Sequence, residues 1–271
     1  MDTVGAVFGP LLGVALLGWA QQIPGQEAAT PFRFVLWVSV IPGVLAALAF
    51  LLLVKDPRQS PNPALKFLRT LRGLPARFKR FLAAVGLFGV GDFSHSLLIL
   101  AATTLLTGRF GPVRAAQLAG LFYVGRNVVQ VLTSYPAGAL ADRYGSLRVL
   151  VGGYCLGVAT ALMTAAAFIF NLDSLLWLAA IFFVAGLYVA VQEALESTVT
   201  ASMIDTPALA TSYGALGTVN GVAKFASSAL VGTLWTAVDP VAGFMTAALL
   251  MFGGTLALAR LLRATSSTTV P

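Results

Sequence analysis

The stretch "YPAGALADRYGSLRVL", Tyr135 to Leu150, sets one acid, two arginines, a proline and two glycines between long apolar runs. The contrast is sharp because the whole chain is poor in charge. Of its 271 residues, 58% are hydrophobic and 10% are charged, and the mean hydropathy is +0.88. Soluble domains carry about 25% charged residues. So much apolar surface implies that the solvent of this chain is lipid. Cys155 and His95 are each the sole residue of their type, which excludes a disulfide framework and a zinc site built from several cysteines or histidines. Asp2 is the only early charge, so the N-terminus lacks the basic region of a cleavable signal peptide.

Outward from the turn, eight apolar runs have the length of membrane helices: 3–20, 32–54, 81–106, 115–137, 149–170, 175–198, 211–236 and 240–260. Basic residues in the loops orient them. Loop 55–80 holds Lys55, Arg58, Lys66, Arg69, Arg72, Arg77, Lys79 and Arg80 against Asp56, and reads as cytoplasmic. Alternation then puts 138–148 and the tail on the same side, with both termini in the cytoplasm of a cell-membrane protein. Arg109 and Arg114, in an outer loop, depart from the rule. Within loop 55–80, Leu65, Leu68 and Leu71 recur at helical spacing among basic residues. An interfacial helix and a solvated linker are both open readings there.

Charge inside the runs has a rhythm. Run 81–106 holds Asp92 and His95, run 115–137 holds Arg126, run 175–198 holds Glu193 and Glu196, and run 211–236 holds Lys224. Runs 32–54, 149–170 and 240–260 hold none beyond their ends. Charges in hydrocarbon face protein or a water-filled cavity. A repeated three-helix unit with a lipid-facing third helix accounts for the pattern. Laying 3–19 over 219–235 supports the repeat, with Gly5 on Gly221 and Trp19 on Trp235. Internal repeats of this kind occur in secondary transporters.

"GALADRYG", Gly138 to Gly145, resembles the inter-helix signature G-x-L-A-D-R-x-G-[RK]-[RK] of the major facilitator superfamily. "GAVFGPLLG", Gly5 to Gly13, is similar to that family's fifth-helix pattern, with Val14 in place of the final glycine. "QEALESTVTASMIDTP" resembles the tenth helix and the loop after it. The resemblance runs over essentially the whole chain and implies an all-α membrane bundle covering helices five to twelve. It implies that 1–54 ends the first half, 55–80 is the linker between halves, 81–263 is a complete six-helix half and 264–271 is the tail. The first four helices are then expected to lie outside this sequence. The signature departs from the family at Ser146 and Leu147, where two basic residues are usual; Arg148 follows them.

The resemblance implies that Gly138, Asp142, Arg143, Gly145 and Arg148 form a gating turn, with Asp142 latching onto the helix start near residue 211. A topology anchor is the plainer alternative. Gly5, Gly9, Pro10 and Gly13 form a helix-packing motif that the family associates with antiporters. Counted along ideal helices, Asp92 lies about 16 Å in, near the midplane. His95 then follows at i+3 on the same face. Asp92, His95, Arg126, Glu193 and Lys224 are candidates for a substrate and proton pathway, with Arg126 as counter-charge to the Asp92–His95 pair. A structural Asp–Arg pair is the competing reading. Glu193 falls about 27 Å along its helix. Glu196 reads as a wetter anchor nearer the interface. Lys224 is a partner for an acid or an anionic substrate. Asn127, Gln130 and Asn220 are candidate cavity lining.

No P-loop, zinc-protease motif or nucleotide fingerprint is present, so neither an enzyme nor a cofactor is expected. The net charge of +7 sits largely in one loop and marks topology, not nucleic-acid binding. The expected function is secondary active transport of a small solute, incomplete in this chain alone, with protons as candidate coupling ions and export as the favoured direction. A non-transporting membrane scaffold or relic is the alternative. Membrane lipid and the solute are the expected partners.

Overall fold

A computed structural model describes residues 2–20, 30–53 and 73–266. Every regular element among them is helical. They divide into two compact units, Met1–Leu65 and Lys66–Pro271. Helix α1 (Asp2–Ala20) and helix α2 (Thr30–Leu53) make up the described part of the first. Their contact buries Leu17 and Ala20 and sets the Trp19 ring 5.8 Å from Phe34. A Cβ placed at Gly5, Gly9 or Gly13 would meet nothing within 4 Å. The small-residue face of α1, Pro10 included in the helix, is therefore unpacked among the described residues.

The second unit holds α3 (Ala76–Gly89), α4 (His95–Phe110), α5 (Pro112–Tyr144), α6 (Ser146–Ile169), α7 (Leu175–Met203), α8 (Leu209–Ala237) and α9 (Pro240–Ser266). A short 3-10 turn, Thr206–Ala208, precedes α8. Helix α6 packs on α7 and α9, α5 on α4 and α7, and α3 on α8 and α9. Phe78, Phe81, Phe88, Tyr154, Phe182 and Phe244 fill the core. Glycines let backbones meet. At Gly254 of α9 a Cβ would sit 2.4 Å from the Phe88 nitrogen, and at Gly186 of α7 it would sit 2.7 Å from the Arg126 carbonyl oxygen.

Four helical stretches are long and apolar enough to cross a membrane: Phe32–Leu53, Ser146–Ile169, Leu175–Met203 and Pro240–Ala264. None of the first is buried within the chain, although its mean hydropathy is 2.5. Helices α6 and α9, charged only near their ends, are each two-faced. Leu150, Tyr154, Phe244 and Met251 face the core, whereas Leu162, Ile169, Leu249 and Phe252 are exposed. Phe244 also packs on Trp235 at 5.6 Å. Phe34 and Phe244 are each the fifth residue of their helices, and each meets a tryptophan near the end of the helix before. This shared contact accords with the repeat.

Several expected boundaries are corrected. Run 81–106 is not one helix, because the chain leaves helix after Gly89 and re-enters it at His95. The loop expected at 138–148 is helical on both sides of Gly145, and Pro136 lies inside α5. Arg109 and Arg114 are likewise helical, with Gly111 between their two helices. Residues 76–80, assigned to the linker, open α3, and α9 continues to Ser266. Leu65, Leu68 and Leu71 lie outside the described residues.

Candidate functional site

The break between α3 and α4 builds the site. Gly91 presses against α9, where a Cβ would lie 2.4 Å from the Ala247 carbonyl oxygen. No larger residue fits there without moving backbone. Ser94 caps α4, accepting from the Ser96 amide at 3.2 Å, while its own amide donates to Ser228 Oγ on α8 at 3.2 Å. Between these points the chain turns Asp92 inward, leaving it 4% exposed. Asp92 and His95 therefore do not share one helical face. Asp92 lies in the break and His95 opens α4.

The counter-charge of Asp92 is Lys224, not Arg126. Lys224 Nζ lies 3.1 Å from Asp92 Oδ2, and Gln192 Nε2 donates to the same oxygen at 3.3 Å. Arg126, also 4% exposed, makes a separate set of contacts. Its Nη1 donates to Asn127 Oδ1 at 2.6 Å and to Gln130 Oε1 at 3.0 Å. Its Nη2 lies 2.9 Å from His95 Nε2. A guanidinium has no acceptor, so that imidazole nitrogen must accept. His95 is then neutral, with its proton on Nδ1. Gln130 continues the chain by donating from Nε2 to Glu193 Oε2 at 2.5 Å. The path His95–Arg126–Gln130–Glu193 thus ties α4, α5 and α7 together.

Glu196 is a second correction. It is 4% exposed and lies within the bundle, not at a wet helix end. Tyr154 of α6 donates its hydroxyl to Glu196 Oε1 at 2.7 Å, and Asn220 of α8 donates to Oε2 at 2.6 Å. Tyr154 and Gln192 are site residues that reading the sequence missed. The signal for Gln192 was its place beside Glu193. Tyr154 offered none beyond its hydroxyl in an apolar run.

The five residues of the charged turn stand apart from these networks. Gly145 alone forms the joint, with φ +93 and its amide bonded to the Ala141 oxygen at 2.8 Å. Gly is favoured there because positive φ strains other residues. Asp142, Arg143 and Arg148 are exposed, and Gly138 is half-buried. No residue pairs with Asp142 among the described residues, so its expected bond to the start of α8 is absent. Arg143 lies 5.4 Å from the ring of its neighbour Tyr144.

Two spaces adjoin the buried charges. One, about 20 Å³, lies among Asp92, His95, Thr160, Tyr188 and Met251. It has room for about one water molecule. The other is open, about 460 Å³, and reaches Ser94, His95, Lys224 and Ser228. No known family model matches this chain, and no curated protein matches it. The site therefore stands on its own geometry: a helix break, one ion pair and two hydrogen-bonded networks in an apolar bundle. Every charged group in it is held from another helix. Separating α4, α5, α7 or α8 would break these contacts.

Proposed function

We propose that this chain acts in secondary active transport of a small solute, on the plan of the major facilitator superfamily. In this reading the chain crosses the cell membrane eight times, with α3 and α4 together making one span and both termini in the cytoplasm. Helices α3 to α9 constitute one six-helix half, α1 and α2 belong to the other, and the solute passes by alternating access with proton-coupled export. The observation that carries the reading is the convergence of Asp92, His95, Arg126, Glu193 and Lys224 around a broken helix. Interrupted membrane helices beside charged side chains are a recurring way to build transport sites. The charged joint at Gly138–Arg148 is assigned to gating, and Gly5, Gly9, Pro10 and Gly13 to packing against a further helix.

Because transport is expected to be incomplete in this chain alone, the test uses everted membrane vesicles from cells with and without the completed two-half protein that contains it, with an imposed pH gradient and a panel of small solutes. At least one solute is expected to dissipate the gradient only when that protein is present. Asp92→Asn and Glu193→Gln are each expected to cut that flux at least tenfold, because a barrier change of about 1.4 kcal/mol suffices. Wild-type flux in both variants would remove the proton-site assignment. Identical vesicles with and without the completed protein would favour the non-transporting scaffold.

A further inference from the structure

The open cavity has a marked charge asymmetry. Its lining is Phe93, Ser94, His95, Lys224, Phe225 and Ser228, in which lysine is the one formal charge. The side chain of Lys224 is 42% exposed, whereas that of its partner Asp92 is 5% exposed. The cavity therefore meets the ammonium and not the carboxylate. Behind His95 stands a second cation that no carboxylate touches. Among the described residues Arg126 has only neutral hydrogen-bond partners, and its Nε is buried without one. Glu193 reaches Arg126 only through Gln130, and burying a charge without a direct ionic partner is costly. The cost falls when an anion comes near. Phe93 and Phe225 supply apolar walls, and the serine hydroxyls supply polar contacts beside the ammonium. A volume of about 460 Å³ lies within the usual range of small-ligand sites, roughly 300–1,000 Å³.

We propose that this cavity binds a small organic anion, whose carboxylate takes Lys224 from Asp92 while its apolar body lies against Phe93 and Phe225. The exchange conserves ion pairing: one carboxylate leaves the ammonium as another arrives. Arg126 adds positive potential through the His95 wall without touching the ligand. The assignment rests on the transport reading only in placing this cavity on the solute's path. Binding is measured apart from flux, so loss of one reading leaves the other open to test.

The probe is benzoate, with benzamide as its neutral isostere, titrated calorimetrically into the purified full chain in detergent. Benzoate is expected to bind at least about tenfold more tightly than benzamide, the scale of a charge-assisted hydrogen bond. Lys224→Gln is expected to remove that preference. Asp92→Asn is expected to tighten benzoate binding, because the competing carboxylate is gone; a purely structural ion pair predicts weaker or unchanged binding. Equal affinity for benzoate and benzamide overturns the proposal. So does weaker or unchanged benzoate binding in Asp92→Asn that elutes as a single folded species. If Lys224→Gln fails to fold, the direction of the Asp92→Asn effect and the benzoate–benzamide comparison decide. Vesicle flux restricted to neutral or cationic solutes would keep transport and still overturn the anion assignment.

Discussion

Glu196 shows what a single residue does in this bundle. Its two oxygens accept from Tyr154 on α6 and Asn220 on α8, so one carboxylate joins three helices. Tyr154→Phe removes one donor while keeping the ring stacked on Phe88, 3.7 Å away between centroids. A hydrogen bond to a charged group contributes about 1.5–3 kcal/mol. Thermal unfolding in detergent should accordingly show a lower Tm for Tyr154→Phe, and an unchanged Tm would mean the bond contributes nothing. Asp92 and Arg126, read as interior groups, are buried, whereas Glu196, read as a wetter anchor, is buried too and Glu193 is exposed; none of their partners was read correctly. Measured along a helix ending at 198, Glu196 falls at the edge of the membrane. Helix α7 in fact continues to Met203, which brings the carboxylate a turn and more inside. Asp92–Lys224 was beyond reach for a different reason. The partners are 132 positions apart, and only the packing of α3 on α8 brings them together.

At the scale of elements, the lengths of the apolar runs located nearly every helix and missed the interruption between α3 and α4. The signs were local: Gly91, then Ser94 as a cap, around an acid. Leu, Phe and Val on either side made the run read as continuous. Helix contacts made through glycine were equally hidden, because a glycine pressed on a neighbour and a glycine facing open space look alike in sequence. Gly254→Ala and Gly232→Ala separate the two cases. The first would put a methyl group 2.4 Å from the Phe88 backbone, whereas the second meets nothing within 4 Å. Overpacking costs about 1–3 kcal/mol or more, and alanine is otherwise the better helix former by about 1 kcal/mol. Gly254→Ala should unfold at lower temperature and Gly232→Ala at the same or a higher one. Equal effects in both variants would mean α3 and α9 do not meet as described.

For the whole molecule, the question is which surfaces meet lipid. Cys155 is the only cysteine, exposed on α6 within one of the stretches of membrane-crossing length. In intact membranes it should resist a water-soluble maleimide and react once detergent is added. Rapid labelling without detergent would take α6 out of the lipid. In a Cys155→Ser background, Ser174→Cys and Asp205→Cys flank α7 and should label from opposite sides. Labelling of both from one side would show that α7 does not cross. Composition alone pointed to lipid, yet it could not say which helix faces are exposed, since that depends on how α6 and α9 share their contact. The length of α5 carries a last consequence. Its 33 residues span about 50 Å at 1.5 Å per residue, against a hydrocarbon thickness of about 30 Å. Even a tilt of about 40° leaves a vertical reach of about 38 Å. If α5 crosses as proposed, its end passes the hydrocarbon as helix, and with Gly145 reversing the chain in a single residue, Asp142 and Arg143 at the end of α5 and Arg148 at the start of α6 would move with their helices and not with a loop.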